Sequence, residues 1–477
     1  MEALQRLHNR GSISTGYDID NSLKFEADNT EYLSKTPSSA GNRKTWTFSA
    51  WVKRTELGET SSKSAMIFGS GDTYLHFIAT DKLVANLRTG GTNFFYYSER
   101  VFRDTSSWYH FVLACDTTQS TASNRLKLYV NGVYESPTES NGYTNIAQNA
   151  DTGINSTNEH EIGKYTLDEN TYAEFFSGYM AEMHLVDGTA LDATSFGEFD
   201  EDSGIWKPKA YAGSYGTNGF YLDFADASDL GDDESGNGND YTETNITSAD
   251  QATDTPTNNF ATANVIGNTR SGKFTYTEGG TKVVRAGSTD WDSWANTIAV
   301  GSGKWYAEFK MIGDTYHFVG VGSEDYYFVG AGSGTGFPEV YYGYSGTNSV
   351  GYYASNGDIY NNGSQSSTDP TYADGDIISV ALDMDNGKVY FAKNGTWIES
   401  QNPATGANSI ALPDTSARYF IGTSHYQANL GAECNYGGYT SFSISSAASD
   451  ANGYGTFEYA PPSGYYALCT KNLAEYG

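Results

Sequence analysis

Positive charge is scarce in this sequence. Lys and Arg together number 28 against 58 Asp and Glu, which gives a formal net charge of −30 at pH 7. Phosphate backbones and anionic membrane surfaces both repel a polyanion of this size. We therefore expect no nucleic acid partner. The excess of carboxylates is compatible with a salty setting, because acidity keeps a protein soluble there.

Cysteine is also rare, and long apolar runs are missing. The cysteines Cys115, Cys434 and Cys469 lie far apart without metal-ligand spacing, so we expect buried free thiols. The first residues, MEALQRLHNRGS, contain no apolar signal-peptide core, and no run of about 18 apolar residues occurs. These absences predict synthesis in a reducing cytosol, no Sec-type export and no membrane insertion.

Helix-forming residues are the third shortage. Charged residues make up only 18% of the chain, whereas 53 Gly and 38 Tyr favour turns and strands. At about 150 residues per domain, the chain has room for two or three domains. We predict an all-β fold of two antiparallel β-sandwich (jelly-roll) domains.

The clearest local signal is the run DGDIISVALDMDNGKVYFAKNGTWIES at 374–400. Apolar residues alternate with polar or small ones from Ile378 to Met384, and this period of two indicates a half-buried strand. Asn386-Gly387 and Asn394-Gly395 enclose the next short run, and Asn-Gly between apolar runs is the strongest hairpin signal, since both residues must reach positive φ. We predict a three-stranded antiparallel meander.

The motif order in this meander, Gly-Asp-x-Ile, Asn-Gly-Lys-Val-Tyr-Phe and Lys-Asn-Gly, resembles the central strands of SPRY domains. Gly-Lys-Trp-Tyr-x-Glu-Phe at 303–309 and Val-Gly-Val-Gly at 319–322 resemble the first SPRY strands. The likeness covers 265–445. SPRY domains are β-sandwich recognition modules without catalytic machinery, so the resemblance implies a binding role.

An earlier series of motifs resembles the laminin-G-like, or concanavalin A-like, jelly roll. It comprises TWTFSAWVK at 45–53, WYHFV at 108–112, LYVNG at 128–132 and FSGYMAE at 176–182. Several motifs in this order are more specific than any one of them. The resemblance implies a β-sandwich over 21–225.

The chain between the two resemblances is strongly acidic. Residues 226–254 carry nine acids, no Lys or Arg, and Tyr241 as the sole aromatic residue. Such a run buries too little apolar surface to fold alone. We predict an acidic linker at 226–264, an N-terminal attachment arm at 1–20 and a C-terminal tail at 446–477 that lies along a surface.

The whole succession, from DNSLKF through TPTNNFAT to ALCTKNL, resembles tandem-sandwich virion proteins of marine tailed phages. The resemblance implies a structural virion protein, a tail fibre or receptor-binding adhesin, made in the host cytoplasm without a signal peptide. Its partners would be other virion proteins and a host cell-surface glycan or protein. Such fibres are homo-oligomers, often trimers, although no heptad repeat here requires one. Two alternatives stay open: a decoration protein that only stabilises the particle, and a glycan depolymerase.

One acidic run has a catalytic interpretation. Glu26, Asp28 and Glu31 spell E-x-D-x-x-E, which superficially matches the catalytic run of laminarinase-type hydrolases on the same jelly-roll fold. A retaining glycosidase needs two carboxyl groups about 5 Å apart. Here the run EADNTE is polar and lies near the start of the chain. We interpret it as a solvated turn and predict no catalytic residue.

Other carboxylates raise the question of calcium. The run 233–238 fits the first six positions of an EF-hand loop, but the twelfth position is Thr244 rather than Glu. We interpret this run as a flexible acidic turn. Asp72, Asp116 and Asp187 at predicted strand ends are further candidate ligands, with turn hydrogen bonding as the alternative. No cofactor is expected, and calcium is the one ion left open.

The segment 311–387 is the most informative for binding, because it holds ten acids, ten Tyr and no Lys or Arg. Sugars stack on aromatic rings while polar side chains bind their hydroxyl groups. Since adjacent strand residues face opposite ways, about half of these tyrosines should pack inside the fold. Peptide recognition by the same loops is the alternative. The predicted ligand-binding residues are Tyr326, Tyr327, Tyr341, Tyr342, Tyr344, Tyr352 and Tyr353.

Two smaller groups of residues also have both a structural and a functional interpretation. The run Phe94-Phe95-Tyr96-Tyr97 in the first domain combines packing and binding interpretations in the same way. His110 and His184 lie within predicted strands and have no Cys or Glu at zinc-ligand spacing. We interpret both histidines as structural.

Overall fold

The computed structural model describes residues 16–57, 65–89, 91–138, 146–166, 173–268, 273–287, 289–325, 341–344, 347–368 and 370–477. The chain forms two compact units, Met1–Asn258 and Asn259–Gly477. Within the described ranges the regular structure is almost entirely strand, which confirms the predicted all-β class.

The first unit is a sandwich of antiparallel strands. Sheet A has the order β10-β9-β8-β3-β15-β1-β20, and β18 pairs with β15 beside this path. Sheet B has the order β11-β7-β6-β5-β4-β12-β2-β19. The strands are β1 (Ser22–Phe25), β2 (Tyr32–Lys35), β3 (Thr45–Arg54), β4 (Ala65–Ser70), β5 (Thr73–Phe77), β6 (Lys82–Thr89), β7 (Thr92–Val101), β8 (Tyr109–Asp116), β9 (Leu126–Val130), β10 (Val133–Tyr134), β11 (Pro137–Thr138), β12 (His160–Ile162), β13 (Lys164–Thr166), β14 (Ala173–Phe175), β15 (Gly178–Asp187), β16 (Gly197–Phe199), β17 (Trp206–Pro208), β18 (Phe220–Leu222), β19 (Thr242–Thr244) and β20 (Gln251–Ala252).

The core of the first unit follows from the period of two along each strand. Alternate residues of both sheets meet in one buried cluster, and the side chains between them face the other way. Short hairpins β13–β14 and β16–β17 lie outside the two sheets, and 3-10 turns occur at Ala122–Asn124, Ala193–Ser195 and Ser248–Asp250. Core side chains from sheets A and B include Leu23, Phe48, Leu113, Met180, Leu33, Leu75, Phe77 and Leu83.

The predicted acidic linker is wrong as far as residue 258, because the structure places 226–258 inside the first unit. Strand β19 pairs with β2, and β20 pairs with β1 at the edge of sheet A. Leu230 and Tyr241 contribute to the core cluster between the sheets. The segment therefore completes the first sandwich instead of leaving it.

Buried lysines explain why so acidic a run can fold. Asp250 lies 2.8 Å from the Lys24 ammonium, and Asp254 lies 2.6 Å from the Lys53 ammonium, with all four side chains buried. Trp108 Nε1 also donates to Asp254 at 3.0 Å. A buried cation is tolerated only when it is paired, so these acids compensate charges that lie far away in the sequence.

The predicted attachment arm is only partly described. Residues 1–15 lie outside the described ranges, whereas 16–20 belong to the first unit. Ile19 is buried, its N–H donates to Thr257 Oγ1 at 3.0 Å, and the same hydroxyl donates to the Ile19 carbonyl at 2.8 Å. The described end of the arm is therefore tied to the first unit through Thr257.

The second unit is also a sandwich. Sheet C has the order β21-β24-β34-β26-β27-β28-β29, and sheet D has the order β22-β23-β35-β25-β30-β31-β32, with β33 beside β31 and β36 beside β25. The elements are β21 (Ala263–Asn268), β22 (Phe274–Thr277), β23 (Lys282–Arg285), β24 (Asp292–Asn296), β25 (Lys304–Ile312), β26 (His317–Ser323), β27 (Ser349–Tyr353), β28 (Asp358–Asn361), β29 (Ser364–Thr368), β30 (Ile377–Asp383), β31 (Lys388–Lys393), β32 (Thr396–Trp397), a 3-10 turn (Ile398–Ser400), β33 (Ile410–Ala411), β34 (Tyr419–His425), β35 (Gly431–Asn435), β36 (Tyr466–Ala467) and the helix α1 (Thr470–Tyr476).

The predicted meander is confirmed as β30, β31 and β32, but its two turns differ. Asn394 and Gly395 have φ of 48° and 78° and form the expected two-residue turn. In the first turn Asp383 pairs with Lys388, so four residues connect the strands and only Gly387 has a positive φ, of 62°. Asn386 instead donates its side-chain amide to Asp383.

The predicted surface tail is part of the second sandwich. Strand β36 pairs in parallel with β25, and Phe457, Tyr465 and Cys469 are buried on the face of sheet D that carries Tyr306. The helix α1 then ends the chain. The pairing with β25 therefore corrects the prediction that 446–477 lies along a surface.

A buried carboxylate holds this C-terminal segment in place. Glu308 Oε1 accepts from the Tyr306 hydroxyl at 3.0 Å and the Tyr459 N–H at 2.8 Å. Its Oε2 accepts from the Glu458 N–H at 2.9 Å and from Asn435 Nδ2 at 3.2 Å. Burial outweighs these four donors and raises the pKa of Glu308 to about 7.

Candidate binding surfaces

An aromatic surface covers the face of sheet C that points away from the core. In β26 and β27 the side chains of Val319, Val321 and Tyr352 enter the core. Phe318 and Tyr353 therefore face the other way, because strand side chains alternate. Phe318 belongs to a separate buried cluster with Ala295 and Tyr342, and half-buried rings that include Tyr353 pack against this cluster.

We call the half-buried rings Trp291, Tyr341, Tyr353 and Tyr360, which surround Phe318, the tyrosine platform. Tyr341 and Tyr353 each stack on Phe318, with ring centroids 4.6 Å and 4.4 Å away. Trp291 and Tyr360 meet Phe318 edge-on at 5.0 Å and 5.4 Å. Such offset-stacked and edge-on pairs hold one another rigidly, so the platform is preformed.

Tyr342 anchors the platform without belonging to it. Tyr342 lies in a groove left by three glycines: an added Cβ would come within 2.7 Å of its Cβ at Gly320, of its hydroxyl at Gly422 and of its backbone carbonyl at Gly351. Its hydroxyl donates to the Trp294 carbonyl at 2.9 Å, and its N–H donates to Ser424 Oγ at 3.0 Å. Glycines on neighbouring strands therefore fix the position of Tyr341.

The structure sorts the predicted tyrosines into three groups. Tyr341 and Tyr353 lie on the platform, and Tyr344, which is 37% exposed, lies beside Tyr341 with ring centroids 5.2 Å apart. Tyr342 and Tyr352 are fully buried, so their prediction as binding residues is wrong. Tyr326 and Tyr327 lie outside the described residues.

Sequence analysis missed Trp291 and Tyr360. Trp291 immediately precedes β24 and contacts Tyr341, Tyr353 and Tyr426 as well as Phe318. Neither residue stands in a tyrosine cluster, which was the signal used. Strand pairing brings both to the platform, because β24 reaches β26 through β34 and Tyr360 lies opposite Gly351 of β27.

The platform presents an uncharged surface at neutral pH. Burial raises the pKa of Tyr341 and of Tyr353, so both phenols keep their protons. Their rings offer apolar faces, and their hydroxyl groups both donate and accept hydrogen bonds. This combination suits a ligand with apolar faces and hydroxyl or amide edges, such as a sugar or a peptide.

The E-x-D-x-x-E run is not a solvated turn. Glu26 and Glu31 are both 2% exposed, and only Asp28 of the three is exposed. The Lys24 ammonium lies 2.9 Å from Glu31 Oε1, and Ser177 donates to Glu26 Oε1 at 3.2 Å. Burial, opposed by Lys24, raises the pKa of Glu31. Here Glu31 serves to pair a buried cation.

The EF-hand-like run is organised by hydrogen bonds to one carboxylate. Asp233 accepts from the N–H groups of Tyr221, Ser235 and Asn239 at 2.9, 2.9 and 2.7 Å. The Ser235 hydroxyl also donates to it at 2.8 Å. Because these donors occupy both oxygens, Asp233 stabilises the turn rather than presenting a free cation ligand.

The other three candidate calcium ligands also have protein partners. Asp72 pairs with Arg88 at 3.0 Å, and Asp116 accepts from the N–H and hydroxyl groups of Thr118. Asp187 is buried and accepts from three separate segments, among them the Asn42 N–H at 2.7 Å. Among the described residues, no group of three or more His, Cys, Asp or Glu is arranged to hold a metal ion.

The predicted structural histidines are buried and fully engaged. His110 Nδ1 accepts from Trp206 Nε1 at 3.0 Å, so its Nε2 carries the hydrogen and donates to Ser49 Oγ at 2.8 Å. His184 stacks on Tyr221 with centroids 4.6 Å apart. Burial lowers the pKa of His110 to about 3. The three cysteines are buried free thiols, as predicted.

In the run 94–97 the alternation is clear. Phe94 and Tyr96 enter the core of the first unit, whereas Phe95 and Tyr97 are half-buried on the opposite face of sheet B.

Within the described part of the chain, no helix has the length and apolar character needed to cross a bilayer.

Comparison with protein families agrees with this architecture. Residues 27–194 match the family of the concanavalin A-like lectin/glucanases superfamily, and residues 304–406 match the SPRY domain family. The first unit is therefore similar to concanavalin A-like domains over 27–194, and the second unit is similar to SPRY domains over 304–406. The tyrosine platform lies on the second unit, and the two matches confirm the concanavalin A-like and SPRY resemblances read from the motifs. No curated protein sequence matches the chain.

Solved structures show local likeness only. The human HERC1 SPRY domain is 19% identical, with 36% of this chain and 94% of that chain covered and a TM-score of 0.28. A SAP-like pentraxin from Limulus polyphemus is 16% identical, with 37% and 80% covered and a TM-score of 0.27. A candidate carbohydrate binding protein of Bacteroides ovatus is 17% identical, with 48% and 59% covered and a TM-score of 0.32.

Proposed function

We propose that this protein is a non-enzymatic adhesin of a tailed-phage particle, and that its tyrosine platform binds a glycan on the host surface. The observation that carries the proposal is the ring of four half-buried aromatic side chains around Phe318. A preformed, uncharged aromatic surface loses little conformational entropy on binding. The concanavalin A-like and SPRY domains fit a binding role, although folds alone do not fix a function.

A glycan explains the platform better than a charged peptide does. Sugar rings place their apolar faces on aromatic side chains, while phenol hydroxyls bind the sugar hydroxyl groups. The tyrosines carry no charge at neutral pH, since an ordinary phenol is already protonated there and burial raises the pKa of Tyr341 and Tyr353 further. The net charge of −30 also disfavours acidic partners at the host surface.

The virion setting rests on the motif succession from DNSLKF through TPTNNFAT to ALCTKNL. The protein is then made in the host cytoplasm, joins other virion proteins and acts as a homo-oligomer in a tail fibre or receptor-binding assembly. Each unit by itself is an antiparallel sandwich, a scaffold of the kind that recognition proteins use to present loops. Immunogold labelling of purified particles tests whether the protein is part of the virion. Particles without label would contradict the virion setting.

The platform is tested with the variants Tyr341→Ala and Tyr353→Ala against Tyr134→Ala. Tyr134 is an exposed tyrosine, 42% exposed on β10 of the first unit, and serves as the matched control. On a glycan array, each platform variant should weaken binding at least about fivefold, whereas the control should bind like wild type. Removing one stacked ring costs about 1–3 kcal/mol in comparable aromatic sites.

Three outcomes separate this proposal from its competitors. Unchanged glycan binding and phage adsorption in both platform variants would refute the platform as the receptor site. Unstable particles with normal adsorption after deletion of the protein would identify a decoration protein. Release of reducing sugar that disappears in Glu26→Gln would identify a depolymerase, and unchanged polysaccharide would exclude one.

A further inference from the structure

Lys24 lies opposite an aspartate, on the face of sheet A that points away from the core. Leu23 and Phe25 enter the core, so Lys24 between them faces the other way. Strand β20 pairs with β1 in a register that sets Leu23 opposite Gln251, and the next position sets Lys24 opposite Asp250. The first strand of the first unit therefore meets the beginning of its last strand at this pair of side chains.

The Lys24 amine contacts two carboxylates in a buried cluster. Lys24, Glu31 and Asp250 are 1%, 2% and 6% exposed. The Lys24 Nζ donates to Glu31 Oε1 and Oε2 at 2.9 Å and 3.0 Å, and it lies 2.8 Å from Asp250 Oδ1. An amine and two carboxyl groups are thus held in contact where water has little access.

The charges of this cluster do not cancel. One ammonium faces two carboxylates, and a buried charge without compensation is costly. Burial raises the pKa of Glu31, Lys24 opposes this rise, and the charge of Asp250 adds to it. Even a matched buried ion pair loses much of its attraction to the cost of removing both ions from water. A reaction that turns the ammonium and a carboxylate into one neutral group is therefore favoured here.

The second oxygen of Asp250 is held by two donors. Thr247 donates to Asp250 Oδ2 from its N–H at 2.8 Å and from its hydroxyl group at 3.1 Å. Donors in this position stabilise the negative charge that develops on the oxygen when the carboxyl carbon is attacked. Asn29 Nδ2 donates to Glu31 Oε1 at 3.0 Å and so orients Glu31 beside the Lys24 amine. A nucleophile with an adjacent proton acceptor is the arrangement that activates an amine.

We propose that Lys24 and Asp250 condense to an isopeptide bond that cross-links the first unit. The Nζ lone pair forms a bond to Asp250 Cγ, the bond between Cγ and Oδ1 breaks, and Oδ2 becomes the amide oxygen. Glu31 accepts protons from Nζ and passes them to Oδ1, which leaves as water. The ammonium and the carboxylate become a neutral amide, Glu31 ends unchanged, and nothing is oxidised or reduced.

The fold supplies what free amines and carboxylates lack in water. Groups held in reactive contact behave as if at an effective concentration of about 10⁵–10⁸ M. Exclusion of water disfavours both the charged reactants and the reverse hydrolysis. The reaction occurs once in each chain and joins β1 to the turn before β20. A force that pulls on the two ends of the first unit then acts on a covalent bond rather than on strand pairing.

Mass spectrometry of the full chain under denaturing conditions tests the bond directly. The purified protein should be lighter than its sequence by the mass of one water molecule. Trypsin should no longer cleave after Lys24, and the digest should contain a branched peptide that joins residues 11–35 to residues 210–270. Fragmentation should place the branch between Lys24 and Asp250 rather than at Asp254, which lies in the same tryptic peptide.

Three variants identify the reacting groups. Lys24→Met and Asp250→Ala each lack one reactant, so both should keep their full sequence mass. Glu31→Gln preserves the size of the side chain but does not accept the protons, so it should also lose the cross-link. Near-ultraviolet circular dichroism reports whether each variant is folded. As an internal control, Lys164 pairs with Glu161 at 2.9 Å, with side chains 16% and 10% exposed, and trypsin should still cleave after it.

Two results would overturn the inference. The first is a folded wild-type chain that has its full sequence mass, and this result decides the matter even if a variant does not fold. The second is a loss of water that persists in Lys24→Met, because the water would then come from another reaction, such as succinimide formation at an Asp-Gly sequence. A folded Glu31→Gln chain that still cross-links would contradict the proton transfer through Glu31. The tyrosine platform belongs to the second unit, so neither result bears on glycan binding.

Discussion

Replacing Gly320 by Ala tests whether the glycine groove holds the tyrosine platform in place. A Cβ at this position would lie 2.3 Å from the Val350 carbonyl oxygen and 2.7 Å from Tyr342 Cβ. Heavy atoms in contact normally lie about 3.5–4.0 Å apart, so β27 or Tyr342 must move by about 1 Å. The displaced Tyr342 would carry Tyr341, its chain neighbour, away from Phe318.

The expected cost follows from the kind of atom that obstructs the new methyl group. Overpacking typically costs about 1–3 kcal/mol, and a backbone carbonyl cannot rotate away, so we expect roughly 3 kcal/mol for Gly320→Ala. For a domain of this size, that lowers Tm by about 6–12 °C. Differential scanning calorimetry measures Tm, and the glycan array should show a parallel loss of binding.

Gly287→Ala is the matched control. Its nearest atom, Lys273 Cδ, would lie 4.0 Å from the new Cβ, and its backbone needs no positive φ. We expect a change within about 0.5 kcal/mol for this variant. If Gly320→Ala melts at the same temperature as Gly287→Ala, the groove is not a tight fit and the reasoning about Tyr342 is wrong.

Three further predictions concern buried ionisable groups. Asp254→Ala leaves the Lys53 ammonium buried without its partner and should cost the first unit about 3–5 kcal/mol in urea unfolding; a cost below about 1 kcal/mol would count against the pair. Glu308 has a pKa of about 7 in the folded state against an ordinary 4.5. Its contribution to the free energy of unfolding is therefore complete below pH 4.5 and is lost as the pH rises through 7. Glu308→Gln should therefore remove about 3 kcal/mol of pH dependence from the second unit, and an unchanged slope would contradict this. His110 has a pKa of about 3 in the folded state against an ordinary 6.5. Its contribution to the free energy of unfolding is therefore complete above pH 6.5 and is lost as the pH falls through 3. His110→Asn should flatten the acid limb of the stability curve of the first unit by about 4–5 kcal/mol, and an equally steep limb would show that another group titrates.

Local patterns predicted the strands and both sandwiches well. The meander at 374–400 appears where alternation and turn residues place it. These signals are local, because alternation and positive φ depend on a few adjacent residues. The domain resemblances depended on the same local signals taken in order.

The linker prediction failed because charge compensation is not local. Residues 226–258 look unable to fold on composition alone. Their partners Lys24 and Lys53 lie about 200 residues earlier in the sequence, where Asp254 pairs with Lys53 and Asp250 joins Glu31 in pairing with Lys24. Composition counts the acids but does not show which cations they meet.

The candidate site was predicted in part for the same reason. Alternation correctly indicates that one of Tyr352 and Tyr353 faces the core. It does not predict that Tyr342 is buried on the opposite face of the sheet, since that depends on glycines of three different strands.

The pairing of β1 with β20 imposes an order on folding during translation. Leu23 emerges from the ribosome early, yet the strand opposite it, at Gln251, is made almost at the end of the first unit. Until then one edge of β1 is exposed and can pair with another nascent chain. Polysomes that hold several copies side by side would therefore favour intermolecular strand exchange before release.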